Sequence, residues 1–230
     1  PLRARLRLPV LLSPRARPRR RVRPQPPLRR AQQRPRVPPE PSEVTEDLAQ
    51  AAREALFCES ILAKSGDNVL LETLRGAPSV EAWTHYPPGD VFDPASGGQW
   101  YYHCHTPSTD AREHGHFHCF VRPDGKDGPV HHLVAAGVDP YGKLIRLFTV
   151  NQWVVGDSFA PAARLGELLS RFDMELGRPS YLVNRWLTAI LSLYREEIVA
   201  LINARDAVLG ASDAPPSAER LDDRSLEVTS

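Results

Sequence analysis

The sequence predicts an α+β domain: a four-stranded antiparallel meander flanked by an N-terminal helix and two C-terminal helices, with disordered termini. Three observations carry that expectation. Apolar residues recur at a helical period toward both ends of the chain, the period changes to two from Gln99 onward, and short turn-forming links join the strand-like runs. Helices on either side of a central meander make an α+β arrangement. With 230 residues, 41% of them hydrophobic, the chain is long enough for one domain with a real core.

Residues 1–42 stand apart. They hold 13 Arg, no Lys, one acid (Glu40), 11 Pro and no aromatic residue. Such a segment cannot bury enough apolar surface to offset its ordering entropy, so an Arg/Pro-rich disordered leader is expected. Three readings of it compete. It could bind RNA, DNA or anionic lipid electrostatically. It could be a targeting segment, although Pro9 interrupts "LRLPVLL" and no cleavage-like stretch follows. Or it could be an artefact of the assumed translation start, the first residue being Pro, and the composition favours this last reading. The rest of the chain carries 16 bases against 27 acids, a formal −11, which argues against nucleic acid as a partner of the folded part.

The folded domain is expected over residues 43–210. "SEVTEDLAQAAREALFCESILAKSG" reads as a helix over 43–64, with acids in its first turn, apolar residues at Val44, Leu48, Ala51, Ala55 and Leu62, and Lys64 and Gly66 at its end. "NVLLETLRG" predicts a short second helix ending at Gly76. "THYPPGDVFDPASGGQ" is turn-rich and excludes long regular structure; Asp90 and Asp93 read as turn formers and His85 as a loop residue.

Strands are expected near 99–105, 114–122, 130–138 and 143–154. "TPSTDARE" suits a longer hairpin loop. "DPYG" suits a tight turn, with Pro140 presetting φ and Gly142 accepting the left-handed conformation. Helices follow over 160–176, stopped by Gly177, and over 180–208, where Leu182, Trp186, Ile190 and Tyr194 form one stripe. Residues 211–230 read as a disordered acidic tail. No apolar run approaches membrane length. Three cysteines (Cys58, Cys104, Cys119) and no signal peptide favour a reducing cytoplasm over a disulfide framework.

"WYYHCHTPSTDAREHGHFHCFVRP" holds five of the eight histidines. Alternation sets their geometry. Tyr101, His103 and His105 share one face of the first strand, and His114, His116, His118 and Phe120 one face of the second. Pairing the strands with Trp100, Tyr102, Phe117 and Cys119 toward a core puts all five histidines on the opposite face. Facing positions in an antiparallel ladder lie roughly 4.5–5.5 Å apart at Cβ, close enough for imidazoles to share one metal ion at about 2.0–2.1 Å.

The expected ligands are His103, His105, His116 and His118, which come from both strands away from the loop. His114 and His132 are secondary candidates, and Glu113 and His116 are candidate catalytic groups. The ligand type suits a divalent Fe, Zn, Cu or Ni ion. Cys104 and Cys119 fall on the other face and are expected to be buried thiols. A pocket beside the metal would be walled by Tyr101, Phe120, Trp153 and the long C-terminal helix. The reading that follows is a metal-binding domain, with a metal-dependent enzyme acting on a small molecule as its catalytic form. A non-catalytic interaction domain, in which the histidines are incidental, is the other class.

"HGHFHCF" also resembles the His-φ-His-φ-His-φ-φ motif of the histidine-triad nucleotide hydrolases and transferases. That resemblance implies His116 as the nucleophile toward a nucleotide α-phosphate, with His114 and His118 outside it. The chain departs from the motif at Gly115, in its extra histidine pair on the preceding strand, and in the hundred or so residues that follow. More broadly, the stretch from about 43 to 210, with its WYYHxH…HGHFHxF core, resembles an uncharacterised bacterial family of unknown function. That resemblance implies no activity.

Overall fold

The computed structural model describes residues 41–106, 112–211 and 215–229. The expectations for residues 1–40 lie outside the described residues. Helix α1 (Pro41–Lys64) buries Ala51, Ala55, Cys58 and Leu62, spaced by four, three and four residues so that they fall on one side of the helix. Helix α2 (Val69–Thr73) is capped by Asn68, whose side chain accepts from the Leu71 amide at 3.0 Å.

The sheet is an antiparallel meander of β1 (Tyr86–Phe92), β2 (Gly98–His103), β3 (Gly115–Val121), β4 (His131–Val138) and β5 (Leu144–Val150). Four of these strands are the expected ones; β1 is a fifth. Its sequence contains Pro87 and Pro88, and its pairing with β2 is broken between Tyr86 and Val91. Proline is tolerated there because β1 is an edge strand, with one side of its backbone unpaired. The turn between β4 and β5 is built as expected: Gly142 takes φ +72 and donates to the Asp139 carbonyl at 2.9 Å.

One face of the sheet meets the helices. Trp100, Tyr102, Phe117 and Cys119 pack into one core with α1 and with α4 (Ala162–Leu169), α5 (Tyr181–Leu193) and α6 (Arg195–Leu209). The expected helix over 160–176 stops at Leu169, because Phe172 and Met174 enter the core in extended chain. There the Met174 amide donates to the Thr188 hydroxyl at 2.9 Å. The expected helix over 180–208 is two helices meeting at Tyr194, where the backbone leaves helical geometry. The expected strand to 154 ends at Val150, and Asn151 caps the short α3 (Gln152–Val155).

Residues 215–229, expected to carry no structure, contain α7 (Ala218–Leu221) and β6 (Val228–Thr229), and β6 pairs with β5. No helix among the described residues is long and apolar enough to cross a membrane.

Asn184, fully buried on α5, ties the helices to the sheet. Its Oδ1 accepts from Trp100 Nε1 at 2.8 Å, and its Nδ2 donates to the carbonyls of Leu176 at 2.7 Å and Arg178 at 3.2 Å. Replacing it with Leu keeps the volume but strands a buried donor and two acceptors, each costing about 1–3 kcal/mol. Asn184→Leu should therefore lower stability by roughly 3 kcal/mol or more in urea unfolding. A change below about 1 kcal/mol would mean that water satisfies these groups.

Candidate functional site

The register of β2 against β3 assembles the site. Tyr101 pairs with His118 and His103 with His116, so the two strands deliver alternate residues to one face as the alternation predicts. β3 is buried along its whole length, which places the imidazoles in an interior and not on a solvated surface. His103, His116 and His118 are all buried, and one nitrogen from each lies within 4.8 Å of the other two. Such a group could hold a metal ion.

His116 is gripped at both nitrogens. Its Nε2 shares a proton with His103 Nε2 at 2.7 Å, and its Nδ1 lies 2.9 Å from Glu113 Oε1. Glu113 is itself ion-paired to the Arg146 guanidinium. There is room for its carboxylate because position 137, opposite His116, is glycine: a Cβ there would come within 2.8 Å of Glu113 Oε2. Arg146 in turn lies 4.1 Å over the Phe148 ring, which meets the ring of His116 edge-on. Arg146 and Phe148 went unremarked in the sequence, although their period-two spacing puts them on the site face.

His132 reaches the cluster through a bulge. Cys119 pairs with Val134, but the next residue, Phe120, pairs with His132, so Leu133 is extra. Without the bulge, alternation would turn His132 to the helical side. With it, His132 Nε2 lies 3.0 Å from His118 Nδ1. His118 Nε2 and His132 Nδ1, both buried, have no hydrogen-bond partner among the described residues.

The remaining candidates divide. His105 is exposed at the rim, stacked on Trp83 at 4.1 Å, with its ring 5.1 Å from that of His116. His114 leaves the cluster: it precedes β3, escapes the alternation, and places Nδ1 2.6 Å from the hydroxyl of Tyr102, a residue of the helical side. Gly115 makes this possible, since a Cβ there would strike the Tyr102 hydroxyl. His85, in the loop before β1, stacks on Tyr101 at 3.6 Å and bonds Asp90 at 3.0 Å, so it borders the site although its sequence context reads as plain loop.

Tyr101 and Phe120 line the cluster as expected. Trp153 instead donates to the Leu226 carbonyl and packs under Arg224, and α5 covers the opposite face of the sheet. The three cysteines are buried and free. Cys119 packs in the helical core, and Cys104 contacts the Glu81 carbonyl.

Electrostatically the cluster is built for neutral imidazole. Burial first, then the neighbouring His116, His105 and His85, lower His103 to about 3. Burial, with Arg205 and His116 adding, lowers His132 to about 3. His118 is pushed well below its ordinary value by burial and by His132, His116 and His103. Burial works against ionised Glu113, but its bonds to His116 and Arg146 outweigh that and hold it down at about 2.

The fold and site together define an α+β domain whose antiparallel sheet buries an imidazole cluster on the face away from its main helical layer. The chain belongs to a family described as a domain of unknown function, DUF6969, which matches residues 49–230. No curated protein and no solved structure matches the sequence.

The imidazoles also set an acid sensitivity. A group whose folded pKa lies below its unfolded value of about 6.5 contributes stability above that pH, and loses it as protons bind the unfolded chain preferentially. For His132 the loss begins near pH 6.5 and continues down to about 3. His118 behaves in the same direction. Each should cost the metal-free protein about 1 kcal/mol between about pH 7 and about pH 5.5. Urea unfolding in chelator across that range checks this; a flat profile would show that the imidazoles are hydrated.

Proposed function

We propose that this domain binds a divalent transition metal through His103, His116 and His118, with exposed His105 facing the fourth position from the rim. The observation that carries the reading is the buried group of His103, His116 and His118, in which His118 Nε2 has no hydrogen-bond partner among the described residues. Burying an unpaired polar group is costly, and a metal ion would satisfy all three nitrogens at once. Imidazole donors suit Fe, Zn, Cu or Ni. Around a tetrahedral ion neighbouring nitrogens sit about 3.3 Å apart, so the His103–His116 contact would open by a few tenths of an ångström.

Glu113 supports this arrangement and is not a free base. By accepting a hydrogen bond from His116 Nδ1–H it leaves Nε2 with its lone pair, the form a metal needs. Three imidazole ligands with only an exposed His105 at the rim would suit a catalytic or sensing centre better than a closed structural one. An interaction domain with incidental histidines has no need to bury them. The histidine-triad alternative asks for His114, His116 and His118 along one face, and His114 is committed to Tyr102.

Untagged protein should bind Zn(II) or Co(II) at one equivalent by elemental analysis and equilibrium dialysis. His103→Ala, His116→Ala and His118→Ala should each weaken binding far more than tenfold, and Glu113→Gln by about tenfold. Wild-type binding in all three alanine variants would refute the site. A separate expectation concerns Gly137→Ala, which touches no ligand. Its added methyl should displace Glu113 and reproduce the weakening of Glu113→Gln; unchanged affinity would place the carboxylate outside the metal's influence.

A further inference from the structure

His132 is a buried imidazole paired with His118 and outside the proposed ligand set. The chain takes a specific step to make this pair. A single extra residue, Leu133, breaks the β3–β4 register, and only that break brings His132 onto the site face. The backbone at His132 is pinned on the other side, its amide donating to Asp157 Oδ2 at 2.9 Å. The ring is then held by Phe120, 5.1 Å away and nearly perpendicular. A fully buried, anchored histidine that makes one bond, to a neighbouring imidazole, is positioned for that bond.

The pair admits two proton arrangements. In one, His118 Nδ1–H donates to His132 Nε2, which leaves the lone pair of His118 on Nε2. In the other, His132 Nε2–H donates, and His118 Nε2 carries a hydrogen that no neighbour accepts. Only the first leaves Nε2, the His118 nitrogen not bonded to His132, free to bind a metal together with His103 and His116. His132 Nδ1 then keeps the stranded hydrogen.

We propose that His132 is a positioning residue, not a ligand: its Nε2 accepts a hydrogen bond from His118 Nδ1–H and so fixes His118 as an Nε2 metal donor. It does for His118 what Glu113 does for His116, with a neutral imidazole on β4 where the segment before β3 uses a carboxylate. The inference rests on the metal reading above. It gives the bulge at Leu133 a purpose, and it removes His132 from the list of ligands.

Two measurements on the full-length chain test it. The first compares Co(II) affinity and the Co(II) visible spectrum in wild type, His132→Phe and His132→Gln, with chelated unfolding midpoints as the folding control. Phe keeps the ring shape without an acceptor, and should lower affinity by about 10–100-fold while one equivalent still binds at saturation. Gln restores an acceptor near the Nε2 position and should recover most of that loss. Wild-type affinity in His132→Phe, or no binding at any concentration in either folded variant, would overturn the assignment; the second result would make His132 a ligand.

The second measurement needs no variant. Long-range 1H–15N NMR of the Zn(II)-loaded wild type should show His118 protonated at Nδ1. Metal uptake with His118 protonated at Nε2 would overturn this inference alone, whereas no uptake by the wild type would overturn the metal reading and this inference with it.

Discussion

The pairing of β2 with β3 is the constraint on which the rest of the molecule depends. One register, Tyr101 opposite His118 and His103 opposite His116, sorts the side chains of two strands into incompatible environments. Trp100, Tyr102, Phe117 and Cys119 go to the helices, and the imidazoles go to the other face. A slip of one residue would invert one strand against the other: β3 would drive His116 and His118 into the hydrophobic core, or β2 would bring in His103 and turn Trp100 and Tyr102 out of it. Because the penalty is paid at every position along both strands, the core specifies the site. Asn184, reaching from α5 to the indole of Trp100, locks the helical layer to that same strand.

Burying so many imidazoles works against stability, and the molecule limits the cost by choosing their neutral form. Glu113 would add a buried negative charge, yet Arg146 neutralises it and Gly137 leaves it space. The result is a site with donor nitrogens but little net charge of its own. Two of its imidazoles are oriented from outside, His116 by a carboxylate and His118 by a second imidazole. His103 has its partner within the cluster, in His116. His105, at the rim, is exposed and stacks on the exposed Trp83. Exposure thus rises from the centre of the sheet toward the rim.

Much of this was legible because period-two alternation is a purely local signal. The run from Trp100 to Val121 is enough to divide the faces and to put forward His103, His105, His116 and His118, of which His103, His116 and His118 form the buried group. What escaped the sequence has three physical causes. Alternation fails where regular pairing ends, so His114, one residue before β3, turns away to Tyr102. It also inverts at a bulge, and nothing in "VHHLVAAGV" announces that Leu133 is the extra residue. Finally, a proline-rich edge strand looks like a loop, since only tertiary pairing shows that one side of β1 needs no donors.

The misread helices make the same point from the other direction. Helical periodicity continues through Tyr194, so the stripe of Leu182, Trp186 and Ile190 gave no reason to end one helix and begin another. The break lets α6 swing toward β4 and β5, and it brings Arg205 into the acidic corner of Asp206 and near the buried Asp157. That corner anchors the backbone of His132 through Asp157. A kink that is invisible in the pattern of apolar residues is therefore coupled, through two side chains, to the outer support of the imidazole cluster. The C-terminal residues add to the same face: β6 extends the sheet beside β5, and Glu227 partly offsets the burial and the His116 neighbour that lower the His105 pKa. Support for the centre comes from parts of the chain far from it in sequence, and for that reason local patterns locate the ligands but not what holds them.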